Sequence, residues 1–155
     1  MVPYILYLHS ILRYIILLFA AIVAVQSLIG MMGKKQFQKS NRMPALVLLI
    51  FCDLQLVFGL MLYYFKLIET GVLKSGMVMK DTYSRFYAVE HSVSMVIAIV
   101  LVHIGYSYIK KNAEDGRKFK RLFWCSFIAL AIFMAMIPWS GKQVVGRPNI
   151  PAMPA

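Results

Sequence analysis

The stretch YILYLHSILRYIILLFAAIVAVQSLIGMM, residues 4–32, decides the fold of this chain of 155 residues. It is apolar almost throughout and is longer than the roughly 20 residues that an α-helix needs to cross a bilayer. Three further apolar runs follow, at 43–65, 83–109 and 122–139. Because lipid offers the backbone no hydrogen-bond partner, each run predicts a transmembrane helix.

The composition of the whole chain agrees with four membrane spans. Hydrophobic residues make up 61% and charged residues 15%, and the mean hydropathy is +0.71, whereas soluble domains have about 45–50% apolar and about 25% charged residues. This composition excludes a disordered chain, a nucleic-acid-binding domain and most soluble enzyme folds. We expect an all-α, up-down four-helix bundle over 1–139, because short connections make neighbouring helices antiparallel. A proline-containing tail, 140–155, follows it.

The net charge of +11 is concentrated in two short connections. Residues 33–42 contain four cations and no acid, and residues 110–121 contain six cations and two acids, so these connections hold 10 of the 17 basic residues. The positive-inside rule predicts that both connections face the cytoplasm and that both termini face outward, which is the periplasm in a Gram-negative bacterium. The charge therefore indicates topology in a bacterial inner membrane rather than binding to nucleic acid.

Motifs of soluble catalysis do not occur in this sequence. There is no P-loop, G-x-S-x-G, H-E-x-x-H or Rossmann fingerprint, and no CxxC or CxxCH. The two cysteines, Cys52 and Cys125, lie inside apolar runs and are expected to be small buried side chains. We therefore expect no covalently attached haem, no disulfide scaffold and no hydrolase site.

Ionisable side chains inside a membrane span are costly and are functional candidates by default. The candidates in this chain are six ionisable side chains, His9, Arg13, Asp53, Glu90, His91 and His103, and the amide Gln55. Asp53 must be protonated or paired, and its depth makes either Arg13 or His103 a candidate partner. Lone histidines near helix ends are often only interfacial, so a pair of them is more informative.

His9 and His91 form such a pair. They are expected about 7 Å and about 12 Å inside the outer ends of helices 1 and 3. These helices are parallel and diagonal in an up-down bundle, so the two imidazoles would face each other across its axis. Such a pair can ligate one haem iron from both sides. His103, twelve residues beyond His91, is too far away to ligate the same iron.

A haem between these helices would need cations for its propionates and a tuned electrostatic environment. Arg13, one turn deeper than His9 on the same face, and Arg85, closer to water, are the cations near this level. Glu90 or Asp53 would tune the site electrostatically.

The sequence resembles a family of small four-span bacterial membrane proteins that are usually labelled cytochrome b. The matching stretches are LHSILRY at 8–14, LQLVFGL at 54–60, MK at 79–80, SRFYAVEH at 84–91, IPW at 137–139 and GRP at 146–148. The resemblance covers nearly the whole chain and implies haem binding by histidines within the membrane. Family members commonly have a histidine where this chain has Asp53, which leaves His9 and His91 as the candidate ligands.

We therefore expect a non-covalent haem b protein that passes electrons between quinol, or a membrane dehydrogenase, and an acceptor at the outer face. Quinone is a further candidate ligand. An electron carrier or a subunit is expected rather than a stand-alone enzyme. One alternative is a cofactor-free accessory subunit of a larger membrane complex, such as a respiratory complex. The other is a quinone-binding or proton-conducting protein that uses Asp53, His103 and Arg13.

The expected partners are the lipid bilayer and either a larger membrane complex or further copies of the same chain, but no nucleic acid. The tail contains Gly146-Arg147-Pro148 and cannot stay helical through its prolines. We expect it to pack across the outer face of the bundle or against a partner subunit.

Overall fold

The computed structural model describes residues 1–76 and 78–149 and has four long helices and no strand in that part of the chain. They are α1, Val2–Met32; α2, Lys39–Ile68; α3, Thr82–Ile109; and α4, Asp115–Met136. All four are long and apolar enough to cross a membrane. The prediction of an all-α chain with four long apolar helices is confirmed. Residues 150–155 of the predicted tail lie outside the described residues.

The four helices pack as a bundle in which neighbours in sequence are neighbours in space. Helix α1 packs against α2 and α4, and α3 packs against α4 and α2, so α1 and α3 are diagonal. One end of the bundle carries the start of α1 and the end of α4, and we call it the terminal end. The opposite end carries the connections 33–38 and 110–114, and we call it the basic end.

Helix α4 differs most from its predicted span, 122–139. It begins at Asp115, because its first turns are polar and a hydropathy pattern does not detect them; Asp115 is paired with Lys118 there, with Nζ 3.8 Å from Oδ1. It ends at Met136, because Pro138 has no N–H to continue the helix and forces the residue before it into an extended conformation.

The core of the bundle lies toward the basic end and depends on small residues. Ala20, Ala98 and Ala129 are fully buried, one on each of α1, α3 and α4. Phe119 of α4 is 1% exposed and fills the space that Gly30 of α1 leaves. Small residues let helix backbones approach closely, which is how helices usually associate in membranes.

The outer surface of the bundle is apolar on every helix. Leu18, Val57, Val93 and Phe127 represent α1 to α4, and each is about half exposed. A helix that is apolar both inside and outside is typical of a membrane span rather than of a soluble bundle, whose outer face is polar. Together with the four long helices, this surface points to a multi-pass membrane protein.

We expect Gly30→Ala to destabilise the fold, because the new methyl group would overlap the buried ring of Phe119. Overpacking of this kind costs about 1–3 kcal/mol, which would lower the Tm of the purified protein in detergent. Gly116→Ala on α4 is the matched control, because nothing lies within 4 Å of the position that its Cβ would take. Equal Tm values for the two variants would contradict the packing described here.

Candidate cofactor site

A cavity of about 560 Å³ occupies the half of the bundle at the terminal end. Ile16, Cys52, Ile99 and Phe133, one from each helix, line it and also belong to the buried core, so they form its floor. Cavities that hold cofactors commonly have volumes of about 300–1,000 Å³ and predominantly apolar walls. The cavity is therefore large enough for a cofactor.

His9 and His91 line this cavity from the diagonal helices α1 and α3. Their ring centroids are 6.5 Å apart and their ring planes are inclined by 63°. Two imidazoles on opposite sides of one metal ion, with each nitrogen about 2.0–2.1 Å from the metal, have ring centroids about 6.3 Å apart. The structure thus brings together the two histidines that the sequence analysis paired, at a separation that accommodates one metal ion.

The hydrogen bonds of the two imidazoles leave ring nitrogens available for ligation. His91 Nδ1 lies 3.0 Å from the carbonyl oxygen of Met136, so its N–H donates there and the lone pair is on Nε2. Histidines that bind metals typically donate their second ring N–H to such an acceptor. His9 Nδ1 is buried and has no hydrogen-bond partner in the described residues.

A π-helical turn positions His91. The turn spans Phe86–Glu90 and immediately precedes His91, and Ser92 Oγ donates to the Tyr87 carbonyl oxygen at 2.7 Å. A π-helical turn inserts an extra residue into a helix, is rare, and is frequent at functional sites. The face that His91 presents is therefore shifted from the one that uninterrupted α-helical spacing predicts.

Helix α2 positions His9 through a polar contact and a small residue. Gln55 Nε2 donates to the backbone oxygen of His9 at 2.8 Å, which joins α2 to α1 at this level. A Cβ on Gly59 would lie 3.4 Å from His9 Cε1, at ordinary van der Waals distance, so the His9 ring lies close to the backbone of α2. Gln55 and Gly59 are four residues apart and so lie on one face of α2, which agrees with both contacts.

Arg13, Lys66 and Arg147 line the cavity, whereas no Asp or Glu among the described residues does so. Arg13 is 8% exposed; it donates to the backbone oxygen of Asn149 and, at 3.1 Å, to Tyr14 Oη. Its Nε is buried without a partner in the described part of the chain. Buried cations without a counter-charge are costly, so this wall favours an anionic occupant.

Arg147 reaches the cavity from segment 139–149, which folds across the terminal end of the bundle. Its Nε donates to Tyr87 Oη and its Nη2 to Tyr83 Oη, each at 2.7 Å. Tyr87 Oη in turn donates to the Val145 carbonyl oxygen at 2.8 Å. The neutral hydroxyls orient the guanidinium but leave its positive charge uncompensated.

Arg85 and Glu90 lie outside the cavity wall. They pair with each other, with Arg85 Nε 2.8 Å from Glu90 Oε1, and their side chains are 37% and 44% exposed. Arg147 occupies the wall instead of the Arg85 that the sequence analysis considered. The sequence around Arg147 indicates only that the tail packs, because a residue outside a helix has no periodicity that assigns it to a face.

Asp53 and His103 pair with each other, with 2.8 Å between Oδ1 and Nε2, so His103 rather than Arg13 is the partner of Asp53. Neither residue lines the cavity, although the neighbouring Cys52 does.

No protein-family model, curated protein or solved structure matches this chain. The resemblance to the small cytochrome b family therefore stays a prediction. Evidence about function therefore comes from the geometry and chemistry of the cavity wall.

We expect Tyr87→Phe to loosen segment 139–149, because it removes the acceptor of Arg147 Nε and the donor to Val145. A hydrogen bond to a charged group contributes about 1.5–3 kcal/mol, so the backbone amides of Gly146 and Arg147 should exchange with deuterium about 10- to 100-fold faster. Tyr64→Phe, on a half-exposed tyrosine whose ring contacts Phe65, is the control. Unchanged exchange in the Tyr87 variant would contradict this role.

Proposed function

We propose that this protein is a b-type haem protein of a bacterial inner membrane in which His9 and His91 ligate one non-covalent haem. The observation that carries the proposal is the pair of imidazoles 6.5 Å apart in a cavity of about 560 Å³. The free ring nitrogens and the excess of cations in the cavity wall support it. The basic end would face the cytoplasm, so the site would lie near the outer face.

The residues present fit a haem better than a bare metal ion. Two histidines are too few for a closed metal site, which needs about four protein ligands. The described residues contain no group of three or more His, Cys, Asp or Glu that could hold a metal. A porphyrin supplies the remaining ligands, and its apolar ring matches the apolar wall.

The cations of the wall are suited to the two propionates of a haem. Arg13, Lys66 and Arg147 all line the cavity, and none of them is paired with a carboxylate in the described residues. A guanidinium binds a carboxylate through two parallel hydrogen bonds, which makes the two arginines the stronger candidates. Arg147 is held by two tyrosine hydroxyls, so little conformational freedom would be lost on binding.

His9 and His91 would hold the haem, which would supply one-electron transfer rather than oxygen chemistry. The chain's own groups would orient the ligands: the Met136 carbonyl oxygen fixes the tautomer of His91, and the apolar floor excludes water. We propose quinol or a membrane dehydrogenase as the electron donor and an acceptor at the outer face.

We expect the protein purified from haem-replete cells to have a Soret band and, after reduction, the bands of a low-spin b-type haem. His9→Ala and His91→Ala should each abolish these bands, since each removes one of the two residues that would hold the haem iron. His103→Ala is the matched control, because His103 is the third histidine of the chain and lies outside the cavity wall. It should keep the full spectrum.

A colourless, well-folded preparation from haem-replete cells would overturn the proposal. The alternative of a cofactor-free accessory subunit would then predict that the protein co-purifies with larger subunits. It would also predict that His9→Asn and His91→Asn leave that assembly unchanged. Extraction of a quinone from the colourless protein would instead favour the quinone-binding alternative.

We expect Arg147→Gln to keep the spectrum but to weaken haem retention. Loss of a charge-assisted hydrogen bond costs about 1.5–3 kcal/mol, which corresponds to a haem transfer to a scavenging protein that is about 10- to 100-fold faster. Arg85→Gln is the matched control, since Arg85 is paired with Glu90 outside the cavity wall. Equal transfer rates for the two variants would exclude a contact between Arg147 and the propionates.

A further inference from the structure

The Asp53–His103 pair lies on the outer surface of the bundle, where α2 meets α3. The two side chains are 48% and 45% exposed although they bond to each other. The residues around them are apolar and also exposed: Ile50 and Val57 lie one turn away on α2, and Val100 lies one turn away on α3. The pair is therefore a polar spot within an apolar face.

This polar spot lies at the middle of its span. Asp53 is ten residues from Met43 and twelve from Phe65, the two ends of the apolar run of α2. At a rise of about 1.5 Å per residue, these separations are about 15 Å and about 18 Å. In the membrane location that we propose, the pair would thus face the centre of the hydrocarbon layer, where exposed ionisable groups are costly.

The pair has hydrogen-bonding capacity left over. The bond between the two side chains uses His103 Nε2 and Asp53 Oδ1. His103 Nδ1 and Asp53 Oδ2 can therefore donate and accept further hydrogen bonds. Neither atom has a partner within the part of the chain that the structure describes.

We propose that a second copy of this chain covers the Asp53–His103 face and makes a symmetric dimer. A two-fold axis along the membrane normal brings the same residues of two copies to the same depth. The Nδ1–H of one copy can then donate to Oδ2 of the other, and the reverse contact forms at the same time. The face is self-complementary, whereas any other partner would need its own donor and acceptor at this depth.

The apolar surroundings of the pair suit the same contact. Ile50, Val57 and Val100 are each about half exposed, and they would pack against their counterparts around the polar centre. Burial of the polar groups removes them from lipid, and hydrogen bonds between helices in membranes are an established cause of association. The inference depends on membrane insertion but not on the identity of the cavity's occupant.

Oxidative cross-linking in native membranes tests which face is buried between copies. Val57→Cys, at a position 54% exposed and one turn from Asp53, should give a covalent dimer in high yield. Leu18→Cys on α1, at a position 58% exposed, is the matched control and should stay monomeric. The parent chain controls for the two native cysteines, which are both buried.

A second experiment tests the hydrogen bonds themselves. The double variant Asp53→Leu with His103→Leu should reduce the dimer fraction in lipid nanodiscs at least tenfold, although it makes the face more apolar. The exchange variant Asp53→His with His103→Asp keeps one donor and one acceptor and should restore the dimer. Absorption spectra of both variants should match the parent's, which separates failure of this inference from failure of the haem proposal.

Several outcomes would overturn the second-copy inference. These are no Val57→Cys dimer in native membranes, equal cross-linking at position 18, and a double leucine variant that dimerises like the parent. Cross-linking of Val57→Cys only to a different protein would overturn it as well, because it would show that the face belongs to another partner.

Discussion

The terminal half of this bundle depends on one constraint: two imidazoles and three cations line a cavity to which no described residue contributes a carboxylate. Toward the basic end, alanines and glycines let the helices pack directly on one another. At the level of Ile16 and Phe133 this direct packing stops. Above it, Arg13, Lys66 and Arg147 have no carboxylate partner within the described residues, so the cavity wall favours an anionic occupant.

The kind of hydrogen-bond partner that a polar side chain has depends on whether it points into the cavity or away from it. Outside the cavity, opposite charges pair with each other, as Arg85 does with Glu90 and Asp53 with His103. Along the cavity wall, carbonyl oxygens and tyrosine hydroxyls serve as acceptors. Neutral acceptors orient a cation or an imidazole without cancelling its charge or blocking its second nitrogen. The cations of the cavity wall thus keep an uncompensated charge, whereas the paired groups outside the cavity compensate each other's charge.

The sequence was sufficient to predict the four helices and the approach of His9 and His91 to each other. The depth of each residue follows from counting residues along its helix, and the diagonal arrangement of α1 and α3 follows from the short connections. The partner of Asp53 could not be predicted, since Arg13 and His103 lie at equal offsets in depth and only the direction of each side chain distinguishes them. The role of Arg147 could not either, because segment 139–149 has no helical periodicity. Nor does any residue pattern reveal the π-helical turn before His91.

Segment 139–149 also has a consequence for biosynthesis. Arg147 and Asn149 belong to the surroundings of the cavity, yet they follow all four helices in the chain. The ribosome therefore adds this wall only after the helices that form the other walls. Among the described surroundings of the cavity, segment 139–149 is thus the last to be synthesised, and the terminal end of the bundle is covered only when this segment folds.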